Sequence, residues 1–363
     1  MCLVVYDCLS VMIEKKIFSF AASIIKFFIF YLFFLNAYAE TVNKKYQHNE
    51  QGILALMYHR FDENKYPSTN IQMNIFKKHV EIIKKNNFEF FNPEYFETEF
   101  KKVKTKKKIL LTIDDGFTSF YESAWPFLKE NKIPFILFIS TKTVGKNGYM
   151  TWDEINELEK EKFAFIGNHS DSHEYLIDYS KEKFSKDINT SINTFKKKLG
   201  YNPIFFSYPF GEYSLEQKKF ISENFKFAFG QHSGVIDLNK DKYELPRFPI
   251  NEKYGDLKRF DFLTKLQPIQ YKNIYPEDKL LTNSNNPPKM FIEFFEEQKN
   301  LKLINCFSNE GGKWSKTKIH IDRKRLNVNF VDGFKFRRGR INCSLNDDDG
   351  WKWLGIQYSI KEN

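Results

Sequence analysis

The chain has 363 residues, 42% hydrophobic and 28% charged, an ordinary globular mixture with length enough for one large domain and a smaller one. The formal net charge is +10, but the lysines are scattered and no dense Arg/Lys stripe is interleaved with aromatics. That balance favours an anionic surface without selecting nucleic acid, which is set aside as a partner. Aromatics reach 18%, with 40 Phe, and so much Phe reads first as core filling.

The N-terminus carries the first positional signal. After Lys15 and Lys16 an apolar stretch runs from Ile17 to Leu35, broken only by Lys26, and Ala37-Tyr38-Ala39 follows. A basic region, an apolar region and a small-residue site form the signal-peptide pattern, here residues 12–39 with Met12 as an alternative start. An uncleaved anchor is the competing reading, because about 20 apolar residues can span a bilayer. Either way the working part is expected outside the cytoplasm, in the periplasm or cell envelope. Association with the envelope or membrane surface is compatible with the charge, and nothing requires an obligate protein partner. Cys2 and Cys8 lie upstream of this signal. Cys306 and Cys343 remain, as a disulfide or as free thiols, without the C-x-x-C spacing of redox or zinc work.

Residues 40–51 are polar and read as a linker. ILALMYHRF (53–61) reads as a buried strand ending in Tyr58, His59 and Arg60. Ile71 to Asn86 has helical spacing, with His79 expected on the helix surface or flank. FEFFNPEYFETEF is a short strand, a proline break and a short helix, and the basic run Lys101–Lys108 is expected to be a solvated loop. It leads into ILLTIDDGF (109–117), an apolar strand ending in two adjacent carboxylates and a glycine. Charge at the end of a buried strand costs desolvation unless it is paired or metal-bound, and two carboxylates side by side repel. A plain Asp-Asp-Gly turn is the simpler reading of that stretch alone.

A helix is expected at 119–130, with Pro126 marking a kink or a late start, then the strand IPFILFIS (133–140). TWDE opens a helix at 151–160 with a capping box. The remaining pairs are a strand at 163–169 with a helix at 180–199 ending at Gly200, and a strand at 204–211 with a helix at 214–224. Strands at 225–232 and 244–250 close the series. Such alternation argues a parallel barrel or an open doubly wound sheet. Polar residues collect at the C-terminal strand ends: His59, Asp114, Asp115, Asn168, His169, Ser207, Gln231, His232 and Arg247. Barrel enzymes assemble their sites at that face.

His169-Ser-Asp-Ser-His173 sets two imidazoles four apart in a loop that could wrap one ion. Two His nitrogens and one carboxylate leave a coordination position open for water, as catalytic zinc requires. A second carboxylate, free of metal, could take the proton as water attacks. Solvated loop histidines are the simpler alternative.

TIDDG, HSDSH and SYPFGEY, in this order and spacing, resemble the polysaccharide deacetylase family with its NodB homology domain, the carbohydrate esterase family 4 group. MYHRF resembles the opening of the exported, poly-N-acetylglucosamine-deacetylase-like branch. The resemblance covers roughly residues 52–250. It implies an α/β fold, a distorted (β/α)7-type barrel, and metal-dependent removal of N-acetyl groups from an amino-sugar polysaccharide or oligosaccharide. It further implies Asp114 as catalytic base, a divalent metal such as Zn2+ on Asp115, His169 and His173, and Tyr208, Pro209, Phe210 and Gly211 lining the acetyl pocket, with His59 as a further substrate-binding residue. Arg247 falls where members hold an arginine near the base.

Two departures stand out. Ser207 replaces the arginine that many members carry before the tyrosine-proline step, and no Leu-x-x-His motif supplies the catalytic acid, so His232 is the nearest candidate. A non-catalytic glycan-binding or envelope protein, or an O-acetyl ester hydrolase of the same family, are the alternatives. The expected organisation is a deacetylase domain at 52–265, a linker at 266–289 and a small β-rich domain at 290–363. Trp314, Trp351 and Trp353 there could stack on sugars or pack a core.

Overall fold

The computed structural model describes residues 52–100, 107–295 and 300–361. The segments read as signal peptide (12–39) and linker (40–51) lie outside them. Among the described residues no helix is long and apolar enough to cross a membrane.

Eight parallel strands carry the first part: β1 (Ile53–Tyr58), β2 (Glu89–Phe90), β3 (Lys108–Ile113), β4 (Phe135–Ile139), β5 (Ala164–Asn168), β6 (Phe205–Ser207), β7 (Phe227–Phe229) and β8 (Phe248–Pro249). Their spatial order is β8-β1-β3-β4-β5-β6-β7, with β2 beside the start of β3. The strands read as unbroken apolar runs because alternate residues serve different cores. Ile53, Ala55, Leu110, Ile136, Phe138, Phe205, Phe227 and Phe229 fill the interior. Leu54, Leu56, Ile109, Leu111, Phe135 and Leu137 face outward against the helices.

The first strand pairs with the last, Leu56 opposite Phe248 and Met57 opposite Pro249. The ring closes through the segment just before β8. Leu245 N–H donates to Ala228 O and Gly230 N–H to Leu245 O, both at 2.9 Å, so residues 245–249 lie first on β7 and then on β1. A barrel-like ring, not an open sheet, is the result.

Helices α1 (Met73–Lys85), α2 (Phe96–Glu99), α3 (Trp125–Asn131), α4 (Trp152–Leu158), α5 (Lys181–Leu199), α6 (Leu215–Asn224) and α7 (Leu257–Thr264) alternate with the strands. Pro126 sits in the first turn of α3, where its missing N–H costs nothing, after a π-helical turn at Phe120–Ala124. Thr151 and Glu154 form the expected capping box, and Gly200 ends α5 in the left-handed conformation.

His79 contradicts the surface expectation. It is fully buried on α1, stacked on Phe260 with ring centroids 3.8 Å apart. Its Nε2 donates to Gly255 O at 2.7 Å, so Nδ1 is the acceptor for the Tyr58 hydroxyl at 3.2 Å. Burial pushes its pKa down from 6.5 to about 4. The unfolded chain therefore takes up this proton first as pH falls below 6.5, and stability is lost between pH 6.5 and 4. The loss from this one group is on the order of ~3 kcal/mol. Denaturant melts of the parent and of His79→Gln at pH 7 and pH 4.5 check this: the parent should lose more stability across the interval. Equal losses would show that His79 is not buried neutral.

Lys107 also departs from the solvated-loop reading. It is buried, with Nζ donating to Leu266 O, while Lys108 opens β3; residues 101–106 lie outside the described ones.

Beyond α7 the chain builds two further sheets. One has Gly350–Ile360 at its centre, flanked by Arg338–Asp347 and then by Asn305–Ser308 and Ser315–Lys316. The other joins Asn273–Tyr275, Met290–Glu293, Arg325–Asn329 and Lys318–Asp322. Leu281, Met290, Ile292, Leu326, Ile341 and Tyr358 share one core with their neighbours. Cys306 and Cys343, opposite one another in the sheet, form a disulfide.

Residues 266–289 hold three short strands, Gln267–Pro268, Asn273–Tyr275 and Leu280–Leu281, paired into these sheets, so that span is structure and not a linker. All described residues belong to one compact unit. Trp314 and Trp351 are 53% and 42% exposed, whereas Trp353 packs on Phe248 and donates Nε1–H to Ser233 Oγ at 3.0 Å.

Candidate active site

The site forms where β1, β3, β5, β6 and the 244–250 segment end. Thr112 and Asp114 share the inward parity of Leu110, so Asp114 enters the barrel mouth fully buried. Arg247 meets it from the closing segment with both ends of its fork, Nη1 to Oδ1 at 2.6 Å and Nη2 to Oδ2 at 2.8 Å. The rest of the guanidinium is also satisfied: Nε donates to Gly230 O at 2.9 Å, Nη1 to Thr112 Oγ1 at 3.1 Å and Nη2 to Ser207 Oγ at 2.8 Å. Burial alone would push the Asp114 carboxyl up, but the Arg247 guanidinium, with smaller help from His169 and His59, holds the group below the usual range. Ser207 is thereby explained. It is an acceptor for the arginine that arrives from another strand.

Asp115 would continue outward by parity, but its φ is +75° and Gly116 follows at +69°. A Cβ on Gly116 would lie 2.9 Å from Ile139, so the turn needs glycine there. This reversal brings the Asp115 carboxylate over the barrel mouth. His169 N–H continues the ladder to Ile139 O at 2.9 Å, and its Nδ1 donates to Ser207 O at 2.7 Å, leaving Nε2 with a bare lone pair. Burial keeps this imidazole neutral, with its pKa pushed down to about 4.

The loop to His173 is tied down locally. Ser170 N–H donates to Asn168 Oδ1 at 2.8 Å, and Asp171 N–H to Asp187 Oδ1 of α5 at 2.9 Å. His173 N–H donates to Ser170 Oγ at 3.0 Å. Asn168 stands among the strand-end polar groups of the sequence, whereas nothing in the sequence points to Asp187.

Asp115 Oδ1 lies 3.1 Å from His173 Nε2 and 3.6 Å from His169 Nε2, and one ligand atom from each residue falls within 4.8 Å of the others. Asp115 Oδ1 is buried and makes no hydrogen bond. A carboxylate oxygen set against two imidazole nitrogens is favourable only with a cation or a proton between them. The donor set therefore fits a divalent metal. Asp114 stands outside the set, its Oδ2 3.9 Å from His169 Nε2.

The other sequence-predicted residues divide. His59 is half-buried at the end of β1, where Tyr58 pairs with Ile113 of β3, so it follows β1 as Asp114 follows β3. Phe210 borders the cluster, edge-on to His173 at 4.9 Å and stacked on Tyr175 at 4.4 Å. Gly211 and buried Pro209 form its turn.

Tyr208 does not line the pocket with its side chain. Ser207 takes the inward place, so Tyr208 points outward into the Phe206–Tyr213 cluster and donates its hydroxyl to Tyr243 O at 3.2 Å. Its N–H is already bonded to Phe229 O at 3.0 Å. His232 is likewise displaced. It lines a separate cavity with Tyr213, Glu244, Lys279 and Trp353, and the charges set against its ring are those of Glu244, Lys279 and Arg247. The chain leaves β7 at Gly230, and His232 lines this cavity, whose lining does not include Asp114, Asp115, His169 or His173.

Residues 101–224, which include the Asp-Asp pair, both loop histidines and the Ser207–Gly211 turn, match the family model for polysaccharide deacetylases. The chain carries a polysaccharide deacetylase domain. Among its relatives is a poly-beta-1,6-N-acetyl-D-glucosamine N-deacetylase of Staphylococcus aureus, 26% identical over 249 residues that cover 60% of this chain and 86% of the relative. The deacetylase domain is also similar in fold to the deacetylase PplD of Streptococcus pyogenes, with a TM-score of 0.54 and 21% identity over 60% of this chain and all of that one. IcaB from Ammonifex degensii gives a TM-score of 0.51 and 21% identity over 59% of this chain and 97% of its own. His59 and Arg247 lie outside the residues that the deacetylase family model matches.

Proposed function

We propose that this protein removes N-acetyl groups from a β-linked amino-sugar polymer or oligomer by metal-assisted hydrolysis, outside the cytoplasm. One observation carries the reading. Next to the Asp115–His169–His173 donor set, whose Asp115 Oδ1 makes no hydrogen bond, lies a second carboxylate, Asp114, held ionised with the help of a two-pronged arginine. A structural turn or a glycan-binding surface needs neither.

Asp115, His169 and His173 would hold the metal, with zinc the expected ion. When bound, the ion acidifies a water and polarises the acetyl carbonyl. Asp114 takes the proton from the attacking water, and Arg247 keeps it charged and correctly aimed. The leaving amine must gain a proton, and we assign that role to His59. It shares the barrel mouth with both aspartates, while His232 faces elsewhere. Phe210 and Tyr175 offer an aromatic border for the sugar.

Acetate release from chito-oligomers, poly-N-acetylglucosamine and peptidoglycan tests the activity. Release from O-acetylated xylan alone would make the protein an ester hydrolase, and binding of glycans without any release would make it a binder. His59→Gln separates the proton donor from the rest. Turnover of the amide should fall by ~10²–10⁴, as expected for a lost general acid. An aryl acetate, whose phenolate leaves without a proton, should lose far less. Equal losses on the two substrates would remove His59 from that role.

A further inference from the structure

The Phe210–Gly211 turn has two consecutive left-handed residues, at φ +59° and +68°. The second requires glycine, because a Cβ there would lie 2.6 Å from the Gln231 backbone nitrogen. The first is costly for a bulky side chain and persists only where surrounding structure enforces it. The enforcement comes from the last strand of the chain. Buried Gln357 donates Nε2–H to the carbonyls of both Phe210 and Gly211, each at 3.0 Å. Its Oε1 accepts from Arg340 Nε at 3.0 Å, which fixes the amide with the nitrogen toward the turn. Two residues on, Ser359 Oγ accepts from Tyr213 N at 3.3 Å.

The same region braces the aromatic pair. The Arg337 guanidinium lies 4.0 Å over the Tyr175 ring and is paired with Asp178 at 2.6 Å. Arg338 lies 5.6 Å over Phe210. Phe210 in turn touches the ring of His173.

We propose that Gln357 is a positioning residue for the active site: its two hydrogen bonds hold Phe210 in the conformation that seats the ring against His173 and Tyr175. The C-terminal β-region is then part of the substrate-binding wall and not an independent module. The proposal rests on the deacetylase reading for its kinetic consequence, but the clamp itself is a property of the fold.

Gln357→Leu removes both donors, and Gln357→Glu keeps the shape while presenting a carboxylate to two carbonyls. With two neutral hydrogen bonds lost, hydrogen exchange across residues 209–213 should speed up by ~10-fold or more in either variant. In the full chain loaded with zinc, KM for an N-acetylated chito-oligomer should rise by ~10-fold while kcat changes far less. A merely structural role would instead lower the folded fraction, reducing apparent kcat and leaving KM alone. Unchanged exchange in both variants overturns the proposal. So does faster exchange with KM unchanged in an active parent. If the parent releases no acetate from any glycan, the deacetylase reading has failed, and exchange alone decides the clamp. Should Gln357→Leu not fold, Gln357→Glu carries the same comparison.

Discussion

Asp115→Asn is expected to lose zinc and, with it, acetate release, whereas Asp114→Asn is expected to keep near-parental zinc and lose turnover by ~10²–10⁴. The two residues are adjacent, but the chain reverses between them. Asp115, at φ +75°, is aimed at the two imidazoles, while Asp114 is directed into the barrel against Arg247. An Asn at 115 presents a neutral oxygen to the ion and removes the charge that offsets it. At 114 an Asn leaves the ligand set whole but cannot accept a proton from water. A turn with no chemistry would tolerate both changes, since Asn suits such turns nearly as well as Asp. Zinc content and acetate release on both variants separate these outcomes. If Asp114→Asn loses its metal, the carboxylates share the ion and the division of labour is wrong. If both variants match the parent, the site is misassigned.

Arg247→Met should be among the most destabilising single changes, costing about 3–5 kcal/mol in denaturant melts, and should abolish acetate release. Arg247 and Asp114 are both fully buried. Truncating one partner of a buried pair leaves the other charge without solvent or counter-charge, and here Thr112 Oγ1, Ser207 Oγ and Gly230 O lose a donor as well. Arg247→Lys keeps the charge but cannot reproduce the five bonds of the planar fork, so it should fall between parent and Met in stability and in rate. A Met variant within about 1 kcal/mol of the parent would show that this ion pair does not hold Asp114 in place.

The local signals in the sequence reached a long way. The alternation of apolar runs predicted a parallel sheet of strands covered on both faces, because such strands must be apolar at nearly every position, but it left ring and open sheet undecided until the family resemblance favoured the ring. That Asp114, Asp115, His169 and His173 gather at one place was legible for a related reason: charge at the end of a buried strand needs compensation from nearby groups. The Thr151–Glu154 capping box and the Gly200 stop were legible because their hydrogen bonds are local.

What failed depended on which way a side chain turns and on what arrives from far along the chain. His79 sits on the apolar stripe of its helix with Phe76, Val80 and Ile83, a periodicity that could have placed it inside. Its partners Gly255 and Phe260, though, are more than 170 residues away. Tyr208 followed Ser207 into the opposite core because strand parity, not motif membership, sets direction. His232 stood at a strand end as the others did, yet the chain turns away at Gly230 before reaching it. Residues 266–289 carry linker composition, but the neighbouring strand Gly350–Ile360 recruits two short pieces of them as partners.

The sequence by itself determined the elements and which carboxylates and imidazoles stand at the strand ends, since propensity, burial and desolvation act within a few positions. The tertiary structure alone decided that Arg247, 133 residues from Asp114, is its partner, that Cys306 and Cys343 are joined, and that Gln357 reaches Phe210 across 147 residues. Those choices are made by ring closure and sheet pairing, which no short window of sequence contains.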